Sequence, residues 1–149
     1  MITHEDILNI LGKPRQSVAF ASFLRKIAER PVISQPTSSC RFYEFYASGL
    51  SVGYHPQLKT VYAAWIHGTR GRGFRKYRGT LPQGLDFRDT RLDVRRKLRM
   101  PIQSSRHKNL DWDLYQQGSL ELHCEYNGKE GGRLILVTLQ LPGDWQSIL

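Results

Sequence analysis

The chain has 149 residues, 40% hydrophobic and 23% charged, which fits one folded domain and excludes a disordered polymer. Its net charge of +9 is concentrated: Arg70 to Lys108 carries thirteen Lys/Arg against three Asp, while the remainder, nine basic against ten acidic, sums to −1. Two cysteines, Cys40 and Cys124, exclude a disulfide framework, no stretch reaches the roughly 18–20 apolar residues of a membrane span, and the acidic start Thr3-His4-Glu5-Asp6 is unlike a signal peptide, so the expected location is the cytoplasm.

Thr3 and Asp6 have the spacing of a capping box, with Asp in place of Glu, and Ile7, Leu8, Ile10 and Leu11 supply the apolar stripe of a short helix. Gly12 and Pro14 end it, the glycine suiting a left-handed C-cap. Val18, Phe20, Phe23, Leu24 and Ile27 predict a second helix over about Ser17 to Ala28, after which Pro31 and Pro36 break the chain. Strand patterns follow at Arg41 to Ala47, Leu50 to Tyr54 and Thr60 to His67, with turns at Gly49 and at 56–59. Gly68 to Gly84 is a Gly- and Arg-rich connection, a loop or a short edge strand. Its end, Leu81-Pro82-Gln83-Gly84-Leu85, reads as a turn that sets Leu85 and Phe87 against the core.

Thr90 to Leu98 predicts a third helix, capped by Asp89 or Thr90 and ended before Pro101. Trp112 to Tyr115, Leu120 to Tyr126 and Arg133 to Leu141 complete the strands, the last two joined at Asn127-Gly128 and Gly131-Gly132. Weak alternation in the final strand suits a central position covered on both faces. In Leu120 to Tyr126, alternation puts Cys124 on the apolar face and Glu121, His123 and Glu125 on the other.

In this order the chain is written twice. Thr3 to Pro14 aligns with Thr90 to Pro101 at an offset of 87, and Tyr43 to Gly49 aligns with Trp112 to Gly118 at an offset of 69. The difference of 18 residues fits an insert within Gln16 to Ser39 of the first copy. The expectation is an α+β fold of two helix-plus-three-strand repeats, one about 1–67 and the other about 85–149. Together they form a six-stranded, mainly antiparallel sheet with the helices packed on one face.

Thr90-x-x-Asp93-Val94-x-x-x-Leu98-x-x-Pro101, followed by an aromatic strand with Trp112 and Tyr115 and two more strands, resembles the repeat unit of BamE and SmpA/OmlA-type proteins. In tandem the unit resembles the β-lactamase-inhibitor-protein fold. The first copy keeps the Leu-Gly-x-Pro helix ending as Leu11-Gly12-Lys13-Pro14, and the second departs from it at Arg99. The resemblance implies this fold and a habit of binding other proteins, and it carries no catalytic residues across.

The basic segment is the functional candidate. With Val94 and Leu98 facing the sheet, helical geometry turns Arg95, Arg96 and Arg99 outward together. Arg70, Arg72, Arg75, Lys76 and Arg78 extend that patch, and Phe74 and Tyr77 supply aromatic anchors for a protein or stacking platforms for bases. A solvated face would mix charge signs more evenly than this one does. The histidines lack metal-ligand spacing, and Gly68-x-x-Gly71-x-Gly73 lacks the Lys-Ser/Thr of a phosphate loop. Trp65, Trp112 and Trp145 read as core or sheet-edge packing. The function expected is therefore a non-enzymatic, cofactor-free binding module of bacterial type, an inhibitor or immunity protein for an acidic partner. The alternative is a nucleic-acid binder using residues 70–108 on phosphates.

Overall fold

The computed structural model describes residues 1–69, 72–107, 110–127 and 132–143, with the side chains of Arg106, His107 and Leu110 outside that description. Helix α1 (His4–Ile10) begins at Thr3, whose hydroxyl accepts from the Asp6 N–H while the Asp6 carboxylate accepts from the Thr3 N–H at 2.8 Å. Helix α2 (Val18–Ile27) is capped by the Ser17 hydroxyl, which accepts from the Phe20 N–H, and it ends at Ala28 in the left-handed region, φ 52°. Phe20 and Phe23 leave α2 edge-on to Tyr43 and Phe45, with ring centroids 5.5 and 5.9 Å apart.

Strands β1 (Val32–Thr37), β2 (Cys40–Phe45), β3 (Leu50–His55) and β4 (Thr60–His67) complete the first copy. A 3-10 turn at Pro82–Gly84 leads to α3 (Arg91–Leu98), whose Thr90/Asp93 capping box repeats that of α1. Then come β5 (Gln103–His107), β6 (Leu110–Gln117), β7 (Leu120–Tyr126) and β8 (Leu134–Gln140). All ladders are antiparallel, in the order β1-β2-β3-β4-β8-β7-β6-β5. Two meanders thus meet last strand to last strand, with Ala64 opposite Leu139 and Ile66 opposite Val137.

The α+β class and the helices on one face stand, but the sheet has eight strands rather than six. The extra two are the edges. β1 contains Pro36, whose missing N–H is tolerated at an edge, and β5 is the polar run Gln-Ser-Ser-Arg-His. The insert in the first copy is α2, since α3 reaches β5 through Arg99–Ile102 alone. The helix alignment holds, but the strand alignment at offset 69 does not. Tyr43, opposite Val52, faces the helices, whereas Trp112, opposite Glu125, faces away from them. The counterpart of Tyr43 is Tyr115, buried opposite Leu122.

One apolar layer runs under both copies. Ile7, Ile10, Phe20 and Phe23 cover Tyr43, Phe45 and Val52, and Val94 joins the layer with Tyr115, Leu122 and Val137. Leu85 and Phe87 are buried in it as expected, and so is Cys124, whose thiol is pushed up by burial. Among the described residues, no helix is long and apolar enough to cross a membrane.

Candidate functional site

The connection after β4 is tied to the sheet by its backbone and by its aromatic side chains. The Arg75 N–H donates to the Tyr46 carbonyl and the Tyr77 N–H to the His67 carbonyl, both at 2.9 Å. Phe74 stacks on the His67 ring at 3.9 Å, nearly parallel, and meets Tyr46 at 4.5 Å. The Tyr77 hydroxyl lies within 3.0 Å of the Ile2 and Thr80 carbonyls. Phe74 and Tyr77 are therefore buried, 7% and 4% exposed. This corrects their expected role: these rings anchor the connection to its own protein and are not offered to a partner.

Turning those rings inward turns the cations outward. Arg72, Arg75, Lys76 and Arg78 are exposed and line a cleft of about 1160 Å³ together with Met1 and Ile27. Lys26 lies in the same cleft but is held by Asp6 at 2.8 Å. No Asp or Glu is among the described residues of that lining. Arg70 lies outside the described residues.

The α3 side of the predicted patch is different, because its cations are matched internally. Arg88 meets Asp86 at 3.0 Å, Lys97 meets Asp89 at 2.8 Å and Arg96 meets Asp93 at 3.8 Å. Arg95 does not join an outward row; it turns to Asp113 at 2.9 Å. Arg96 and Arg99 are exposed, Arg99 as the C-cap at φ 74°. The single patch expected from sequence is therefore two: a rim on the connection with no ion pair among the described residues and a charge-balanced helix.

Asp113 was not singled out by the sequence. Its side chain is fully buried on the helix-facing side of β6, where it accepts from Arg91 at 2.8 Å, Arg95 at 2.9 Å, Ser104 at 2.7 Å and Tyr126 at 3.1 Å. Burial works to raise its pKa, but the guanidinium forks of Arg95 and Arg91 and the Ser104 hydroxyl outweigh that and hold it well below the usual carboxylate range. With its lone pairs occupied, Asp113 locks α3 to the sheet.

On the face away from the helices, Phe42 and Trp65 meet edge-on at 5.6 Å, and Trp112 lies 5.0 Å from the His123 ring. These side chains are half-buried. Trp65 and Trp112 thus stand on the open face rather than in the core, while Trp145 lies outside the described residues. His123 and Glu125 share this face as alternation predicts, Nδ1 to Oε1 3.8 Å. Among the described residues, no three of His, Cys, Asp and Glu converge as metal ligands.

His67 links the rim to this face. Its Nε2 lies 3.2 Å from the Ser51 hydroxyl, and burial, aided by the Arg72 charge, lowers its pKa to about 4. The unfolded chain binds a proton near the ordinary histidine value of 6.5, so the stability due to neutral His67 is present above that pH and lost as pH falls toward about 4. His67→Phe keeps a ring under Phe74 and is expected to flatten the fall of the urea midpoint across that window. His123, lowered mainly by burial, leaves a residual slope. A variant as acid-sensitive as the wild type would refute the assignment.

No protein family, no curated protein and no solved structure matches this chain.

Proposed function

We propose that the chain is a non-enzymatic protein-binding module, acting in the cytoplasm, that presents its open sheet face and the basic rim beside it to an acidic protein. One observation carries this reading. The basic residues of α3 are neutralised within the molecule, whereas Arg72, Arg75, Lys76 and Arg78 gather around a cleft whose described lining holds no acid. Like charges held on one short segment raise each other's energy, and an anionic partner relieves that repulsion while accelerating encounter. Half-buried Phe42, Trp65 and Trp112 offer the aromatic area that dominates protein interfaces. The tandem organisation is in keeping with the resemblance to the BamE and β-lactamase-inhibitor-protein folds. An inhibitor or immunity protein that masks an acidic target is the narrower form of the proposal.

The test is capture from native lysate by the tagged chain at physiological ionic strength, about 0.15 M, run with and without nuclease treatment. The wild type is expected to retain a discrete acidic protein. Replacing Arg72, Arg75 and Arg78 by Glu should weaken that capture by tenfold or more, about 1.4 kcal/mol at the least. Trp65→Ala with Trp112→Ala should weaken it independently. Recovery of nucleic acid alone, lost on nuclease treatment and falling with salt at a slope of about −0.9 per phosphate contact, would install the alternative instead.

A further inference from the structure

The cleft beside the connection has two kinds of wall. Met1, Ile2, Ile27 and Ala47 give it an apolar side, and Arg72 to Arg78 give it a cationic rim. A second cleft, on the side of the connection toward α3, is also flanked by Lys76 and Arg78, but Asp86 and Asp89 line it and already hold Arg88 and Lys97. Charge complementarity therefore singles out the first cleft. The rings that could have stacked on bases, Phe74 and Tyr77, are buried in the chain's own packing, which disfavours a nucleic-acid strand there. A bare phosphate would satisfy the rim and leave the apolar wall wet.

We infer, building on the protein-binding reading, that this cleft receives an extended acidic segment of the partner. An extended chain places alternate side chains on opposite sides. A segment alternating carboxylates with apolar residues would set one row on the guanidinium forks of Arg72, Arg75 and Arg78 and the other against Met1, Ile27 and Ala47. The partner is thus held by a strand of its chain as well as by a folded surface.

The probe is a fluorescein-labelled peptide alternating Glu and Leu, followed by anisotropy, with a peptide alternating Glu and Gly as the equally charged control. The Leu peptide should bind about tenfold more tightly than the Gly peptide, since each Leu side chain leaves water. Arg75→Glu with Arg78→Glu should abolish binding of both. Ala47→Trp fills the cleft without altering its charge, and the backbone N–H of residue 47 keeps its bond to Glu29. That variant should lose the Leu peptide while its circular dichroism stays that of the wild type. Equal affinity for the two peptides, or indifference to Ala47→Trp, would overturn the inference and leave only an electrostatic surface. Tighter binding of oligo-dT than of the Leu peptide would also overturn it, in favour of nucleic acid. A chain that retains a captured protein but ignores the Leu peptide refutes the cleft alone. A chain that binds the Leu peptide but captures no protein refutes the wider reading and keeps the cleft.

Discussion

Asp113→Ala is expected to destabilise the protein by about 3–5 kcal/mol, the cost of leaving a buried charge without its partner. Arg95 can recover part of its loss, since its side chain is 38% exposed and can swing into water. Arg91, at 11%, cannot, and the one acid it would keep among the described residues is Asp111, 3.8 Å from an Nη1 that has no hydrogen bond among them. The melting temperature should fall by roughly 10 °C for a chain of this length. The same reasoning predicts a rescue: Asp113→Leu combined with Arg91→Met and Arg95→Leu should return most of the stability, because an apolar replacement removes the desolvation cost together with the pairing. The sign with pH is fixed by the depressed carboxyl. Its contribution is present above the ordinary carboxylate range and is lost as pH falls through and below it, so the Ala variant should show a shallower acid limb. A loss under about 1 kcal/mol in urea unfolding would mean that the cluster only breaks even against solvent.

Gly49→Ala is the second large effect, and it reaches the candidate site. Gly49 has φ 70°, where an Ala costs about 1–2 kcal/mol in any surroundings. Its Cβ would also strike the Arg75 carbonyl oxygen and lie 2.6 Å from the Tyr77 nitrogen, both backbone atoms that must move as a unit. Gly118 is the natural control, at φ 61° with nothing within 4 Å of its Cβ. Gly118→Ala should cost the backbone term alone, and Gly49→Ala at least about 1.5 kcal/mol more, since overpacking against immobile atoms adds about 1–3 kcal/mol. Because the connection is displaced, the Tyr77 amide should exchange faster and the Glu/Leu peptide should bind more weakly in Gly49→Ala and not in Gly118→Ala. Equal penalties at the two glycines would refute the close approach.

Much of the scaffold is legible in the chain because its signals are local. Thr3 with Asp6 and Thr90 with Asp93 announce two helix starts, and Ser17 with the 3.6-residue apolar period announces the third. Edge strands are less legible. Ser34 to Thr37 carries a proline, and Gln103 to Arg106 carries no apolar residue, so neither shows the alternation that half-burial imposes on inner strands. The site was legible as composition but not as geometry. Charge density marked 70–108, but which arginines meet an acid depends on strand parity in β6. There Trp112 and Leu114 look as apolar as Tyr115, and alternation alone does not say which set faces the helices. The inward turn of Phe74 and Tyr77 depends on Gly49 allowing the connection to approach, a contact between residues distant in sequence.

The seam between β4 and β8 has a consequence for synthesis. Every other ladder pairs strands adjacent along the chain, but this one waits for residues 134–140 before it can close on residues 60–67. A nascent chain emerging from the ribosome can complete its first meander and must then leave the outer edge of β4 unpaired while the second is translated. That strand, Thr-Val-Tyr-Ala-Ala-Trp-Ile-His, contains no lysine, arginine, acid or proline to discourage pairing with a neighbouring polypeptide. The interval between translating β4 and translating β8 is therefore the chain's period of greatest aggregation hazard, and a truncation anywhere inside it should yield insoluble product.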